Sequence, residues 1–255
     1  MEIVEYLISL NKKYGAPRKF GTSWHKNQNE KILAIADKLC KNKLMWKYVV
    51  SFQTLDSKSL EAIKRKNITL EQLDKIVAVA KENNVPTSAE LMGPLPGQTK
   101  QSYLDDIEYL TKKNIRCIMN ITTVLPGAEM SNKDYQKKWG MQTRTTKIKD
   151  WSRFVEESEE SLVATKDMTM RELESVLITN WALHHFHALG FTDFVSTYYN
   201  KEFSIKFTKF HEMFWQYFSN KDLYLSTYVK PLLNHVEKGH TYLLWPHSNL
   251  SLIHI

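Results

Sequence analysis

Hydrophobic and polar positions in the first 145 residues of the chain alternate between two periods. Apolar residues recur every three to four positions over Ile3–Tyr14 and Gln28–Lys41, which predicts amphipathic helices. Short runs rich in β-branched and aromatic residues, Trp46–Phe52 and Thr87–Met92, predict strands. The recurring order of strand, turn, helix and strand favours a parallel sheet covered by helices, so the predicted fold class is α/β.

Local signals set the ends of several predicted elements. Gly15 directly follows the first helical pattern and is suited to a left-handed helix end. Thr69 and Gln72 have the spacing of a capping box at a helix start. Further helices are predicted over Ser57–Lys64, Thr69–Glu82 and Gln101–Lys113, and further strands over Arg18–Ser23 and Arg116–Thr122.

From Trp151 onward, turn signals become sparse and long helical patterns dominate. The sequence therefore predicts a mostly helical carboxy-terminal region rich in aromatic residues. Its predicted helices are Trp151–Ala164, Met170–Leu189, Lys206–Phe218 and Leu223–Lys238.

Composition narrows the class of protein. The 255 residues are 42% hydrophobic, which indicates a globular chain. The net charge of +7 comes from scattered lysines with no nucleic-acid motif among them. No apolar run could span a bilayer and no signal peptide is visible, so the cytoplasm is the expected location. Cys40 and Cys117 lie 77 positions apart, which predicts two ordinary thiols.

Polar and flexible residues follow three of the predicted strands. Ligands of parallel α/β sheets bind at the carboxyl ends of the strands, because loops and helix starts gather there. A Gln amide both donates and accepts hydrogen bonds, an Arg suits a carboxylate, and a Glu suits a ribose diol. The candidate site residues are Ser51, Gln53, Arg65, Glu90, Gly93, Pro96, Gly97 and Val124.

These residues occur in the segments SFQTLD, IKRKN, ELMGPLPGQT and LPGAEM. In this order and spacing they resemble the second half of a radical S-adenosylmethionine (radical SAM) barrel, over about residues 1–141. The resemblance is greatest to the subgroup with a cobalamin-binding domain upstream. It implies a partial (β/α) barrel over residues 1–145, followed by the helical region over 146–249.

The resemblance also implies a role for each candidate residue. Gln53 and Glu90 would lie near the ribose of S-adenosylmethionine, and Arg65 would hold its methionine carboxylate. The turn from Gly93 to Gly97, which includes Pro96, would pass close to the adenine, with Val124 beside it. Ser51 belongs to the same set of cofactor contacts, and Asn27 or His25 would lie near the methionine amino group. No catalytic residue follows from the resemblance.

The implied cofactors are S-adenosylmethionine, a 4Fe-4S cluster and cobalamin. The implied partners are a small-molecule or natural-product substrate and an electron donor such as flavodoxin or ferredoxin. The three-cysteine motif CxxxCxxC that holds the cluster is absent from this sequence. We therefore expect a fragment of such an enzyme, without cleavage activity by itself. Residues 250–255 resemble a translated sequencing adapter, so we expect them not to be natural protein.

Two other interpretations of the function compete with this one. A non-catalytic binding or scaffold protein could have kept a half barrel and bind a partner through its basic surface or aromatic helices. A phosphate-binding barrel enzyme lacks support, because no glycine-rich phosphate loop opens a helix. His184 and His187 share a helix face, but no Cys or acid nearby completes a ligand set, so no metal site is predicted.

Overall fold

A computed structural model of the chain describes residues 1–22, 30–148 and 157–219. It is a mixed α/β structure with mostly helices and a small parallel sheet, which confirms the predicted α/β class. The residues cluster into two compact units. Unit 1 comprises Met1–Leu55, Arg65–Leu91 and Tyr109–Ile118, and unit 2 comprises Asp56–Lys64, Met92–Glu108 and the chain from Met119.

The central sheet has three strands in the order β1-β2-β3. They are β1 Tyr48–Gln53, β2 Thr87–Gly93 and β3 Arg116–Ile121. β1 and β2 are parallel, and the register changes between Ser51 and Gln53. All three strands were predicted. Of the further predicted strand Arg18–Ser23, the described residues form only one isolated β-bridge, between Phe20 and Met45. The partial barrel stays a prediction.

Nine α-helices are present in the part of the chain that the structure describes. The helix α1 ends at Gly15 in the left-handed conformation, and Thr69 and Gln72 form the capping box of α4, as predicted. The helices are α1 Glu2–Tyr14, α2 Glu30–Lys41, α3 Ser57–Ala62, α4 Leu70–Glu82, α5 Lys100–Lys112, α6 Lys133–Trp139, α7 Met170–Ala182, α8 Asp193–Phe203 and α9 Phe207–Ser219.

The core of unit 1 contains one face of β1 and the apolar faces of its helices. Tyr48, Val50 and Phe52 alternate along β1 and are fully buried, as the two-residue period of a strand requires. Leu39 of α2 and Leu73 of α4 are fully buried as well. The amphipathic patterns of the sequence therefore supply the core of this unit.

Unit 2 contains an antiparallel hairpin of two strands, β4 Gln142–Ile148 and β5 Glu157–Ala164. The predicted helix Trp151–Ala164 is wrong over its described part, because residues 157–164 form β5. Cross-strand pairing stabilises this conformation, as in the pairs Thr145 with Glu160 and Arg144 with Ser161. Such pairing depends on a partner strand and is invisible to a helical pattern search.

The carboxy-terminal helices of unit 2 agree with the prediction in part. The predicted helix Met170–Leu189 is α7 followed by one π-helical turn over Leu183–His187, and the predicted Lys206–Phe218 is α9. The helices α6 and α8 were not predicted. The predicted helix Leu223–Lys238 and residues 250–255 lie outside the described residues. Among those described, no helix combines the length and apolar character that a bilayer crossing requires.

Candidate functional site

A polar pair joins β1 and β2 in unit 1, within three residues of the carboxyl end of each strand. Ser51 and Glu90 are register partners in the parallel ladder. The Ser51 hydroxyl donates a hydrogen bond to the Glu90 carboxylate at 2.9 Å. Both side chains are half-buried, so the carboxylate keeps acceptor capacity for another donor. The structure therefore brings together two of the candidate residues predicted from sequence.

Gln53 is the last residue of β1 and adopts a left-handed backbone conformation with φ of 70°. For a residue other than glycine this conformation is uncommon and costs about 1–3 kcal/mol, and functional sites are among the places where such residues cluster. Five other non-glycine residues in the described part of the chain adopt a positive φ, among them Lys43 and Ser204. The residue is buried and is the register partner of Leu91. Leu91, the register partner of Gln53, directly follows Glu90, so Gln53 and Glu90 lie one ladder position apart on neighbouring strands.

The turn from Gly93 to Thr99, in unit 2, contains two glycines, and glycine is favoured at each for a different structural reason. A Cβ atom added to Gly93 would lie 2.5 Å from Cε2 of the buried Tyr103 ring, so glycine is required there for packing. Gly97 has φ of 84°, which favours glycine for its backbone conformation. The sequence interpretation assigned both glycines to close approach of a ligand, and the structure supplies a packing reason for Gly93.

Two residues that organise this turn, Gln98 and Thr99, were not identified from the sequence. The amide oxygen of fully buried Gln98 accepts a hydrogen bond from the Leu95 N–H at 3.0 Å. The Thr99 hydroxyl accepts from the Ser102 N–H at 3.0 Å and so caps the start of α5. A polar residue three positions after the Leu-Pro step, followed by a Thr-x-x-Ser cap, is the sequence signal that could have indicated both roles.

Val124 lies in a segment that hydrogen-bonds to β5. Its N–H donates to the Glu160 carbonyl at 2.7 Å, and the Leu162 N–H donates to the Thr122 carbonyl at 2.8 Å. On its other side, the Thr122 N–H donates to the Gly93 carbonyl at 3.1 Å. The hairpin therefore holds the chain after β3 beside the start of the turn, an arrangement absent from the sequence interpretation.

The remaining candidates are less defined. Arg65 is exposed in the loop between α3 and α4, so its guanidinium is accessible to an anion. Pro96 is buried within the turn. Asn27 and His25 lie outside the described residues. Their roles, like those of Gln53 and Glu90 toward a cofactor, stay predictions.

The chain's two cysteines are both buried in unit 1. Burial, with a contribution from Asp37, raises the pKa of the Cys40 thiol, which opposes the thiolate form that binds metals. Within the residues that the structure describes, no three His, Cys, Asp or Glu side chains converge so that they could hold a metal ion.

A second polar cluster, also missed from sequence, lies among the carboxy-terminal helices. His211 of α9 is fully buried, with Nε2 2.9 Å from the Thr192 hydroxyl and Nδ1 2.8 Å from the Phe207 carbonyl. His187, in the π-helical turn, contacts the buried Ser196 hydroxyl at 3.0 Å. Burial lowers the pKa of His211 to about 4 and also lowers the pKa of His187. Both imidazoles are therefore neutral at pH 7 and serve as packed polar groups.

Comparison with known proteins adds a family-level similarity. No family model matches the chain. The chain is 26% identical over 237 residues to the cobalamin-dependent radical SAM methyltransferase TokK of Streptomyces tokunonensis, covering 87% of this chain and 33% of that protein. It is 26% identical over 230 residues to the 2-(S-pantetheinyl)-carbapenam-3-carboxylate methyltransferase of Streptantibioticus cattleyicolor, covering 86% and 33% respectively.

Both relatives are named as methyltransferases, and the similarity suggests the radical SAM superfamily. The chain spans about a third of the length of the curated relatives it matches.

Proposed function

We propose that this chain binds S-adenosylmethionine as the cofactor-binding part of a radical SAM enzyme. The observation that carries the proposal is the Glu90 carboxylate, held by Ser51 three residues before the carboxyl end of a parallel strand. Hydrogen-bond acceptors at such strand ends are where α/β sheets bind nucleotides, and a carboxylate there suits a ribose diol. The similarity to two methyltransferases over most of the chain supports the same function.

The proposed roles divide between the two ends of the ligand. Glu90 and Gln53 bind the ribose hydroxyls, and the turn from Gly93 to Gly97 contacts the adenine with Val124 beside it. Arg65 binds the methionine carboxylate through its two-pronged guanidinium. For a whole enzyme containing this sequence, we propose generation of a 5′-deoxyadenosyl radical, with cobalamin-dependent methyl transfer to a small molecule.

The residues of this chain do not fit the 4Fe-4S cluster that reductive cleavage requires. Such a cluster is held by several cysteine thiolates. This sequence has two cysteines, and both are buried. The proposal for the chain itself is therefore limited to binding, and we expect no cleavage of S-adenosylmethionine by the 255-residue protein.

Binding of two nucleosides distinguishes the proposed role of Glu90 from that of Arg65. S-adenosylmethionine carries the methionine carboxylate, whereas 5′-methylthioadenosine has the same adenine and ribose without it. We expect Glu90→Gln to weaken the binding of both by about tenfold or more, because a hydrogen bond to a charged group contributes about 1.5–3 kcal/mol. Arg65→Ala should weaken S-adenosylmethionine alone. Titration calorimetry measures both dissociation constants.

The matched control is Glu71→Gln, which removes an exposed carboxylate of α4 in the same unit. It should leave both affinities unchanged. Equal binding by wild type and Glu90→Gln would remove Glu90 from the site. Binding of neither nucleoside by the folded wild-type chain would refute the proposed function.

One observation favours the binding or scaffold alternative. The helix α8 and the residues before it carry several exposed large apolar side chains, among them Phe191, Phe194 and Phe203, with Phe194 81% exposed. Clustered exposed aromatics are typical of protein interaction surfaces. A folded chain that binds neither nucleoside, and whose self-association or partner binding is abolished by Phe194→Ser, would support this alternative.

A further inference from the structure

The helix α9 is attached to the first turn of α5 by a partly buried ion pair in unit 2. Lys100 is the first residue of α5, and its Nζ lies 2.7 Å from Oε1 of Glu212. The side chains are only 30% and 13% exposed, so solvent screens this pair less than a surface pair. Burial alone would raise the pKa of Glu212, but hydrogen bonds from Lys100 and Lys209 outweigh it and lower the pKa. Glu212 is therefore ionised at neutral pH.

Further along α5, more contacts hold the start of α9 and the residue before it. The carboxylate of buried Glu108, in α5, accepts from the backbone N–H of Thr208 at 3.0 Å and from its hydroxyl at 3.3 Å. Because Thr208 lies in the first turn of α9, this carboxylate satisfies a helix-start donor that would otherwise be unpaired. Lys206 also pairs with Asp105 at 2.8 Å. The helix α9 thus has a defined register against α5.

The start of α5 is in turn part of the Gly93–Thr99 turn. Thr99 caps the helix, and its own N–H donates to the Ser102 hydroxyl at 3.0 Å. The ring of Tyr103, one helical turn on, fills the space over Gly93. A displacement of the first turn of α5 would therefore move both ends of the Gly93–Thr99 turn.

Without Glu212, Lys100 would be unfavourable at the first position of α5. Cations are unfavourable at a helix N-terminus, where the helix dipole is positive. Glu212 offsets this repulsion, and it holds the Lys100 ammonium on the side of the helix that faces α9.

We propose that Lys100 and Glu212 are positioning residues for the Gly93–Thr99 turn, so that α9 controls the affinity of that turn for an adenine nucleoside. The proposal rests on the proposed binding of S-adenosylmethionine. Removal of the Glu212 charge leaves Lys100 partly buried beside a helix N-terminus, and the first turn of α5 shifts toward solvent. Coupling of this kind changes affinity by at least about fivefold.

The test measures nucleoside affinity together with hydrogen exchange. The variants are Glu212→Gln, Lys100→Met and the charge-swapped double variant Lys100→Glu/Glu212→Lys. Calorimetry gives the dissociation constants for 5′-methylthioadenosine and S-adenosylmethionine. Mass spectrometry follows exchange in a peptide spanning residues 93–103, whose amides include those of Leu95 and Gln98. The control is Glu129→Gln, which breaks the exposed pair with Lys64 in the same unit.

We expect both single variants to bind both nucleosides about fivefold or more weakly, with faster exchange in the 93–103 peptide. The ratio of the two affinities should stay at its wild-type value, because the effect lies at the adenine end. The charge-swapped variant should restore affinity and protection, and Glu129→Gln should change neither. This restoration separates positioning from a general loss of stability.

Each other outcome is decisive. If the wild type binds the nucleosides and Glu212→Gln and Lys100→Met bind them with the same affinity, the inference is overturned, whether or not hydrogen exchange changes. The proposed function then stands. If the wild type binds neither nucleoside, the proposed function is refuted. Unchanged hydrogen exchange of the 93–103 peptide in the single variants then also overturns the coupling between α9 and the turn. If Glu212→Gln fails to fold, Lys100→Met and the charge-swapped variant give the same comparison.

Discussion

The Gly93–Thr99 turn and the carboxy-terminal helices α7 to α9 are both well packed, but contacts of different range hold them. In the turn, Gln98 bonds to Leu95 and Thr99 to Ser102, each three residues away. Among the helices, Trp215 bonds to Thr179 across 36 residues and His211 to Thr192 across 19. The side-chain hydrogen bonds of Gln98 and Thr99 are therefore local to the turn, whereas those of Trp215 and His211 depend on partners brought by the fold. Substitutions in the two regions should accordingly differ in size and kind.

The largest effect is expected at the core of the helical region. Trp181 is buried and packs with Phe186, Trp215 and Phe218. Trp181→Ala should lower the free energy of unfolding by about 3–5 kcal/mol, because it leaves a large cavity. Phe194→Ala removes an exposed ring from α8 and should change stability by less than about 0.5 kcal/mol. Denaturant unfolding followed by circular dichroism measures both, and equal values would contradict the packing described.

The next effect is a pH dependence that arises from His211. Its pKa is lowered from 6.5 to about 4 by burial, so the folded state binds its proton less readily than the unfolded state. The stabilisation is fully present above pH 6.5 and is lost as the pH falls toward 4, by roughly 3 kcal/mol in total. The lowered pKa of His187 acts in the same direction.

The control for this pH dependence is His211→Gln, which keeps a neutral hydrogen-bonding side chain without the titrating group. Unfolding free energies of both proteins should be measured at several pH values between 8 and 4. The difference between them should change in favour of the variant as the pH falls. A constant difference would show that His211 does not titrate in this range.

In the turn, the expected effect is smaller and steric. Gly93→Ala places a methyl group 2.5 Å from the buried Tyr103 ring, which must shift. Overpacking of this kind should cost about 1–3 kcal/mol. Gly21→Ala is the matched control, because its added methyl group meets nothing within 4 Å. A Gly93→Ala variant as stable as Gly21→Ala would mean that the ring relaxes freely.

The smallest effects come from a matched pair of buried threonines. The Thr179 hydroxyl accepts from Trp215 Nε1 at 3.0 Å, so Thr179→Val should cost about 1 kcal/mol by leaving the indole N–H unpaired. The Thr122 hydroxyl has no hydrogen-bond partner among the described residues, so Thr122→Val should be neutral or slightly stabilising. Thermal unfolding compares the two. Destabilisation by Thr122→Val that equals or exceeds that by Thr179→Val would show that its hydroxyl is satisfied.

The range of contacts also explains which elements could be predicted. The left-handed end of α1 at Gly15 and the Thr69–Gln72 capping box depend on a few neighbouring residues, and both were predicted. The strand β5 was predicted as a helix, because its conformation depends on pairing with β4. The left-handed conformation of Gln53 depends on the change of register between β1 and β2, so it has no local signal.

The candidate site shows the same division. Glu90, Gln53 and the Gly93–Thr99 turn were selected from their sequence context at strand ends, because polar residues after apolar strands are visible in the sequence. Their partners were not visible. The pairing of Lys100 with Glu212 joins residues 112 positions apart, and no local pattern relates them.

By itself, the sequence determined the α/β class, the three strands of the sheet, the capped helices and the identity of the residues that follow the strands. These features arise from periodicity and from caps that act within a few residues. Only the tertiary structure decided that Ser51 bonds to Glu90, that Gly93 is a packing position and that His211 is buried and neutral. Each of these depends on a side chain brought close by folding, since burial and pairing are properties of the assembled chain.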